Sequence, residues 1–318
     1  MNISELRKEY HRQISENIIR IRKIKGNEIP NFADKDSKTS VRIAQGIVNR
    51  LGFRTIVIPS NARRKEVNDI EIIEDVMDLE EFIGEPLNLE EGKAVKEQTA
   101  GVLFEKITIE FIEKSFALLQ HLRPGNWLYS VNSKIHNFEQ YHHLAEIAEA
   151  VKGNKTLSST LGRDYIITPD IVVSRLPVND AMINQNDEIV SNDSAIFTPF
   201  REKNFSNPLP ILHASISCKW TLRSDRSQNA RTEALNLIRN RKGHLPHVMA
   251  ITAEPYLNRL ASLTLGTGDL DCVYHFALHE LIEAVRDGKV ESEIDFLQMM
   301  IEGKRLRDIS DLPFDLAV

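Results

Sequence analysis

Three side chains in the C-terminal half of this 318-residue chain could share one piece of chemistry: Asp170, Lys219 and Glu233. Phosphodiester hydrolysis needs carboxylates to hold a divalent cation, a donor to orient or activate the attacking water, and charge stabilisation at the leaving oxygen. Thr168-Pro169-Asp170 puts a carboxylate at a break in the β-branched run DYIITPDIVVSRL, and Ser217-Cys218-Lys219 ends the next strand-like run, LHASISCKW. Alternation along that strand sends Ser217 and Lys219 to one face and Cys218 to the other. Glu233 follows Lys219 by fourteen residues, in a helix that would pack back over the strand end. Taken singly, a Pro-Asp is usually a turn, a strand-end Lys is usually solvated and a mid-helix Glu usually lies on the surface. As an ordered set they can converge.

A second group sits beside the first. Arg223-Ser224-Asp225-Arg226 opens the helix after the Lys219 strand. Helix N-termini enter the major groove of DNA, where Arg pairs bidentately with guanine and Asp accepts from the cytosine amino group. Two Arg and one Asp are the side chains that two adjacent C·G pairs require, and a two-fold related copy would double the set. An isolated R-x-D-R is otherwise an intrahelical ion pair.

The elements that must position these groups follow from period and punctuation. Residues 1–52 read as helical with a break at Pro30, then the polar loop NFADKDSKTS, then a helix VRIAQGIVNRLG closed by Gly52. TIVIPS reads as a strand, and an acidic segment follows it. Residues 101–122 (GVLFEKITIEFIEKSFALLQHL) carry apolar positions at helical spacing and end before Arg123-Pro124-Gly125, and a further helix fits 138–151. Residues 176–209 are polar without a period, a long excursion of the kind reserved for function or assembly. Ser224 can cap a helix from Asp225 to about Lys242 that stops at Gly243, and HVMAITAEP is a short buried strand. The order strand, strand, helix, strand indicates an α/β fold with a mixed sheet and a crossover helix.

Composition is that of a globular protein, with 42% hydrophobic and 27% charged residues. MNISELRKEYHRQ has no apolar core of a secretory signal, and no run approaches bilayer-spanning length. Two cysteines, Cys218 and Cys272, offer no disulfide framework and suit a reducing cytoplasm. The net charge of -6 argues against DNA binding only until its segregation is seen. Residues 65–92 are heavily acidic, whereas residues 219–242 hold Lys219, Arg223, Arg226, Arg231, Arg239, Arg241 and Lys242 against Asp225 and Glu233. That is a phosphate-contacting footprint or, more blandly, a solvated helix face.

The ordered set PD…S-x-K…E resembles the variant of the PD-(D/E)xK nuclease signature found in the CCGG-cutting type II restriction endonucleases, where Ser replaces the strand carboxylate and a helix Glu takes its place. HASISCKWTLRSDRSQNARTEALNLIRNRKGHLPH, LGTGDLDCVYHFAL, GKRLRDISDLPFDLAV, GVLFEK…LQHLRPGNW and LGRDYIITPDIVVSR are similar to the NgoMIV-like (type IIF) members of that group. The resemblance covers most of residues 98–318 and, more weakly, 31–50. It implies a single domain, 1–318, with a restriction-endonuclease-like core in which helices flank a mixed β-sheet. It implies Mg²⁺ as cofactor, with Asp170 and the Cys218 backbone carbonyl as metal ligands and Glu233 and Glu105 holding the metal's outer sphere through water. Lys219 would position or activate the attacking water, and Ser217 occupies the substituted position. Arg223, Asp225 and Arg226 match the CCGG-reading segment. Asp34 and Arg259 match contacts to an outer G·C pair, hence GCCGGC, and Gln98 matches a minor-groove contact. The family cuts both strands to leave 5′-phosphate ends, works as a homotetramer of back-to-back dimers in the prokaryotic cytoplasm, and is accompanied by a cognate cytosine methyltransferase that protects host sites. Two departures stand out: Asp36 occupies a place where a small polar contact is expected, and residues 53–92 carry an acidic insertion of roughly thirty residues relative to the family.

Two other functions fit the same fold: a DNA-binding protein that does not cleave, and a structure-specific repair nuclease. The intact Asp170/Lys219/Glu233 set argues against the first, and the base-reading chemistry of Arg223–Arg226 against the second. Cys272, His275 and His279 form a C-x-x-H-x-x-x-H spacing, but YHFALHELIEAV reads as a helix whose burial accounts for its histidines, and no fourth ligand is evident. Gly266-Thr267-Gly268-Asp269 lacks the third glycine of a nucleotide loop and is read as a turn, and Trp220 as a core residue.

Overall fold

The computed structural model describes residues 1–24, 27–53, 56–58, 95–152, 167–222, 224–266 and 268–318. Most of the acidic insertion, the expected strand's start at Thr55, and the DYI that opens DYIITPD lie outside the described residues.

Helix α1 (Ile3–Asn17) is started by a capping box in which Asn2 Oδ1 accepts from the Glu5 amide at 2.9 Å and Glu5 Oε2 accepts from the Asn2 amide at 2.8 Å. A hairpin follows where the sequence pattern predicts helix: β1 (Arg20–Ile24) pairs antiparallel with β2 (Asn27–Pro30). The cause is the alternation Ile19-Arg20-Ile21-Arg22, a period of two that a helix cannot bury on one face. Strand β3 (Ile56–Ile58) adds in parallel to β1, completing a small sheet. Between them α2 (Lys38–Leu51) is capped by Ser37 and closed by Gly52, whose φ of 72° is left-handed.

The main sheet has six strands in sequential order: β4 (Trp127–Val131), β5 (Ile171–Arg175), β6 (Ile211–Lys219), β7 (His247–Thr252), β8 (Cys272–His275) and β9 (Leu306–Asp308). The first three run antiparallel and the last four, from β6 on, are parallel, so the sheet is mixed. Strand β6 is central, with every residue from Leu212 to Cys218 buried. A buried strand of this length needs cover on both faces, and helices supply it. Helix α3 (Val95–Ala117) presents Phe104, Ile107, Thr108, Phe111 and Ile112 to the core. Helix α4 (His143–Lys152) precedes β5, and α5 (Asp180–Ile183) lies in the excursion after it. Helix α6 (Ser224–Asn240) crosses from β6 to β7, α7 (Leu257–Thr264) from β7 to β8, and α8 (Leu278–Asp287) with α9 (Glu291–Glu302) from β8 to β9; α10 (Leu312–Leu316) ends the chain.

Three local expectations are corrected. Ser224 is the first helical residue of α6 rather than its cap, and the helix ends at Asn240. The helix expected to span 101–122 begins earlier and gives way to turns after Ala117, and the one expected over 138–151 starts only at His143, after two short 3-10 turns. Cys272 and His275 lie in β8 and only His279 is helical, so the C-x-x-H-x-x-x-H spacing spans two elements. Four consecutive buried residues, Cys272 to His275, make a central strand, which short apolar runs do not distinguish from helix.

Candidate active site

Asp170 stands one residue before β5, held from behind by the Asn132 amide, which donates to the Asp170 carbonyl at 3.0 Å. Its carboxylate collects three donors from the end of β6. Oδ2 accepts from Lys219 Nζ at 2.6 Å, from the Cys218 amide at 2.7 Å and from Ser217 Oγ at 3.4 Å. The predicted alternation is visible here, since Ser217 and Lys219 reach one carboxylate while the Cys218 thiol is buried on the opposite face. Burial pushes that thiol far above its ordinary value, with the Asp170 and Glu105 charges adding to the shift. The thiol is therefore inert at neutral pH.

Two further carboxylates share this electrostatic neighbourhood. Burial pushes Glu105, on α3, up to about 7; the Asp170 charge adds to that, while Lys219 and a hydrogen bond from Asn132 oppose it. Glu233, in the third turn of α6, is raised by burial and by Asp170, against the pull of Lys219. Burial alone would lower the Lys219 ammonium; the charge and hydrogen bond of Asp170, with Glu233 behind them, outweigh it and hold Lys219 above its ordinary value. Three carboxyl groups therefore lie near one ammonium, more oxygen donors than that single cation can satisfy. Such a surplus of hard oxygen donors attracts a divalent cation. Among the described residues no three His, Cys, Asp or Glu side chains stand close enough to cage a metal directly.

The sheet edge at this end is braced by aromatic packing. Trp220, next to Lys219, is 6% exposed and its ring lies 5.1 Å from Phe104, 5.5 Å from Phe32 and 5.8 Å from Phe276. Trp220 is a core residue, as its sequence position predicts.

Of the base-reading candidates, Arg223 lies outside the described residues, and Asp225 and Arg226 occupy the first turn of α6. Gln98 lies in the first turn of α3. Asp34 and Arg259, 225 positions apart, come together as an ion pair through Oδ2 and Nη2. Asp36 is exposed, and its main-chain amide donates to Asp34 Oδ1 at 3.1 Å. Asn132 and Glu254 were not singled out by sequence spacing. Asn132 has a φ of 51°, a left-handed position that Asn tolerates and that the Val-Asn-Ser run at the end of a strand signals. Glu254 is a fully buried carboxylate just past β7, and its only sequence signal is a charge ending an apolar run.

The family model of the NgoMIV restriction enzyme matches residues 58–318. The type II restriction enzyme NgoMIV of Neisseria gonorrhoeae is 51% identical over 226 residues, which span 70% of this chain and 78% of that protein. Among solved structures, the complex of restriction endonuclease PspGI with substrate DNA shares 13% identity at a TM-score of 0.36, covering 99% of this chain and 92% of that one. The type IIF restriction endonuclease Bse634I with cognate DNA shares 12% at a TM-score of 0.33, covering 96% and 99%. On the sequence matches, with the strand-end Asp170–Lys219 pair lying inside the matched region, this chain belongs to the NgoMIV restriction enzyme family and is a type II restriction endonuclease.

Proposed function

We propose that the enzyme uses Mg²⁺ to cut both DNA strands within GCCGGC, leaving 5′-phosphate ends, and that it works as a homotetramer. The observation that carries the catalytic reading is the convergence of Ser217, the Cys218 amide and Lys219 on one oxygen of Asp170. Asp170 would be the direct carboxylate ligand. In an extended strand the N–H and C=O of one residue point to the same side. The Cys218 carbonyl therefore faces the edge its amide faces, toward Asp170, as a second ligand must. Glu105 and Glu233 would hold the outer sphere through water. Mg²⁺ bound there supplies Lewis acidity to the scissile phosphate and lowers the pKa of bound water. Lys219, tethered at 2.6 Å to Asp170, brings a protonated donor to the same point, where it orients the attacking water and offsets charge growing on the phosphate.

Arg223, Asp225 and Arg226 read CCGG from the start of α6. The outer pair falls to Asp34 and Arg259. A C·G pair shows a cytosine amino donor beside guanine acceptors, and an adjacent Asp acceptor and Arg donor match it. In the free protein the two side chains satisfy each other, and DNA takes their places. Gln98 contacts the minor groove. A cytosine methyltransferase of the same specificity is the functional counterpart that protects host DNA.

The excursion at 176–209 supports the assembly. Arg201, 1% exposed, holds it in shape through Asp180 at 2.5 and 2.8 Å and the Ser191 carbonyl at 2.7 Å. From this braced loop Met182, Ile189, Phe197 and Phe205 stand exposed, Phe197 by 87%. These four side chains offer apolar surface to a second copy of the chain.

Lys219→Ala and Asp170→Ala test the catalytic reading. Each is expected to lower the cleavage rate of a GCCGGC duplex at least about 100-fold, while gel-shift affinity for the same duplex survives. Robust cleavage by either variant would contradict the assignment.

A further inference from the structure

Glu254 is a fully buried carboxylate that has no place in the proposed metal site. Its two oxygens are divided between two segments of chain. Oε2 accepts from the Leu222 amide at 2.8 Å, and Oε1 accepts from the Tyr256 amide at 3.0 Å. Leu222 immediately precedes Arg223 and the first turn of α6, which carries Asp225 and Arg226. Tyr256 is the N-cap of α7, whose first turn carries Arg259, and Arg259 Nη1 stands 3.8 Å from Glu254 Oε2. The neighbouring Ala253 amide also donates to the Trp220 carbonyl at 3.2 Å, so the two segments run side by side with Glu254 at their junction. Burial pushes the Glu254 carboxyl up to about 7, against the two amides and Arg259. A carboxylate kept in the interior is costly, and an apolar residue of the same volume would pack there without that cost. The bonds it makes explain its presence, and both lead to segments that carry base-reading candidates.

We propose that Glu254 is a positioning residue for specificity, locking the outer-pair reader Arg259 in register with the CCGG-reading segment so that inner and outer pairs are read as one unit. The proposal rests on Asp34 and Arg259 contacting the outer pair. When Asp34 turns to a cytosine, it leaves Arg259, and Glu254 is the carboxylate that still faces the guanidinium and keeps it aimed.

Glu254→Gln tests this with little change of shape. One oxygen becomes an amide nitrogen that cannot accept from a peptide N–H, so one segment loses its anchor, and the charge facing Arg259 disappears. The readout is the ratio of kcat/KM for GCCGGC to that for ACCGGT, measured on wild type, Glu254→Gln, Arg259→Ala and the double variant. The expected result is a ratio reduced at least about tenfold in Glu254→Gln, with CCGG still required, and no further loss when Arg259→Ala is added, because both act through one contact. A wild-type ratio in Glu254→Gln, beside a reduced ratio in Arg259→Ala, overturns the positioning role alone. An unchanged ratio in Arg259→Ala, or no preference in wild type, overturns the outer-pair reading beneath it. Hydrogen exchange of the wild-type protein supplies a test that needs no variant. With Ca²⁺ in place of Mg²⁺, peptides containing the Leu222 and Tyr256 amides should be slowed together and more by a GCCGGC duplex than by ACCGGT. Equal protection by the two duplexes overturns the proposal.

Discussion

At the scale of single residues, the account turns on Asp170 and on the side chains that address bases. Asp170 and Lys219 are legible in the sequence because strand alternation and a proline break place them at neighbouring strand ends, and their 2.6 Å contact is the outcome. Glu105, Asp34 and Arg259 are not legible from spacing. Asp34 and Arg259 meet across 225 positions, and only resemblance to the family joins them in advance. Glu254 escapes for another reason: its side chain accepts from main-chain amides, which every residue has and no motif marks. If Arg226 reads CCGG as proposed, Arg226→Ala removes a bidentate guanine contact from each half-site. Each such contact contributes about 1–3 kcal/mol of discrimination, so the two together should lower specific binding by roughly two to six kcal/mol. Filter binding of a GCCGGC duplex against a scrambled duplex at fixed salt reads this directly. A uniform loss across both sequences, with a shallower salt dependence, would make Arg226 a phosphate contact instead.

At the scale of elements, the mixed sheet with its crossover helix was expected from the order of strand-like and helical runs, and six strands in sequential order carry it. The strand readings of IVVSR, LHASISCK and HVMAIT hold because β-branched and alternating runs there are bounded by turn residues. The sequence pattern reads the β1–β2 hairpin and the end of β8 as helix, since both are short and stand next to a true helix whose period dominates the window. What fastens the N-terminal helix to the far edge of the sheet is a charge network without any sequence proximity. Arg7 on α1 donates to Asp308 Oδ1 and Oδ2 at 2.8 Å each, and to Glu280 at 2.9 and 2.6 Å. Asp308 is 1% exposed, so Arg7→Ala would strand a buried carboxylate that keeps only the Leu278 and Ser310 donors. Removing one partner of a buried pair costs about 3–5 kcal/mol. A urea titration should show the midpoint falling accordingly at unchanged slope, and a midpoint within error of wild type would show that the network is not needed for stability.

At the scale of the whole molecule, a net charge of -6 coexists with DNA cutting because charge is uneven along the chain: residues 65–92 hold 11 of the 46 acidic residues, whereas 219–242 hold seven basic residues against two acidic ones. The assembly prediction belongs here too. If the braced excursion at 176–209 joins dimers back to back, two sites on one plasmid are held at high effective concentration, and a two-site plasmid should be cut faster than a one-site plasmid. A monodisperse dimer by light scattering that cuts both plasmids equally would contradict the tetramer. The central claim, cleavage of one CCGG-containing palindrome with Mg²⁺, is tested most directly by incubating the protein with a plasmid of known sequence, with Mg²⁺ and with chelator, and sequencing the fragment ends. The account predicts discrete fragments with Mg²⁺ alone, every end carrying a 5′-phosphate and falling within GCCGGC. Ends scattered over unrelated sequences, ends at a motif without CCGG, or equal cutting in chelator would contradict it.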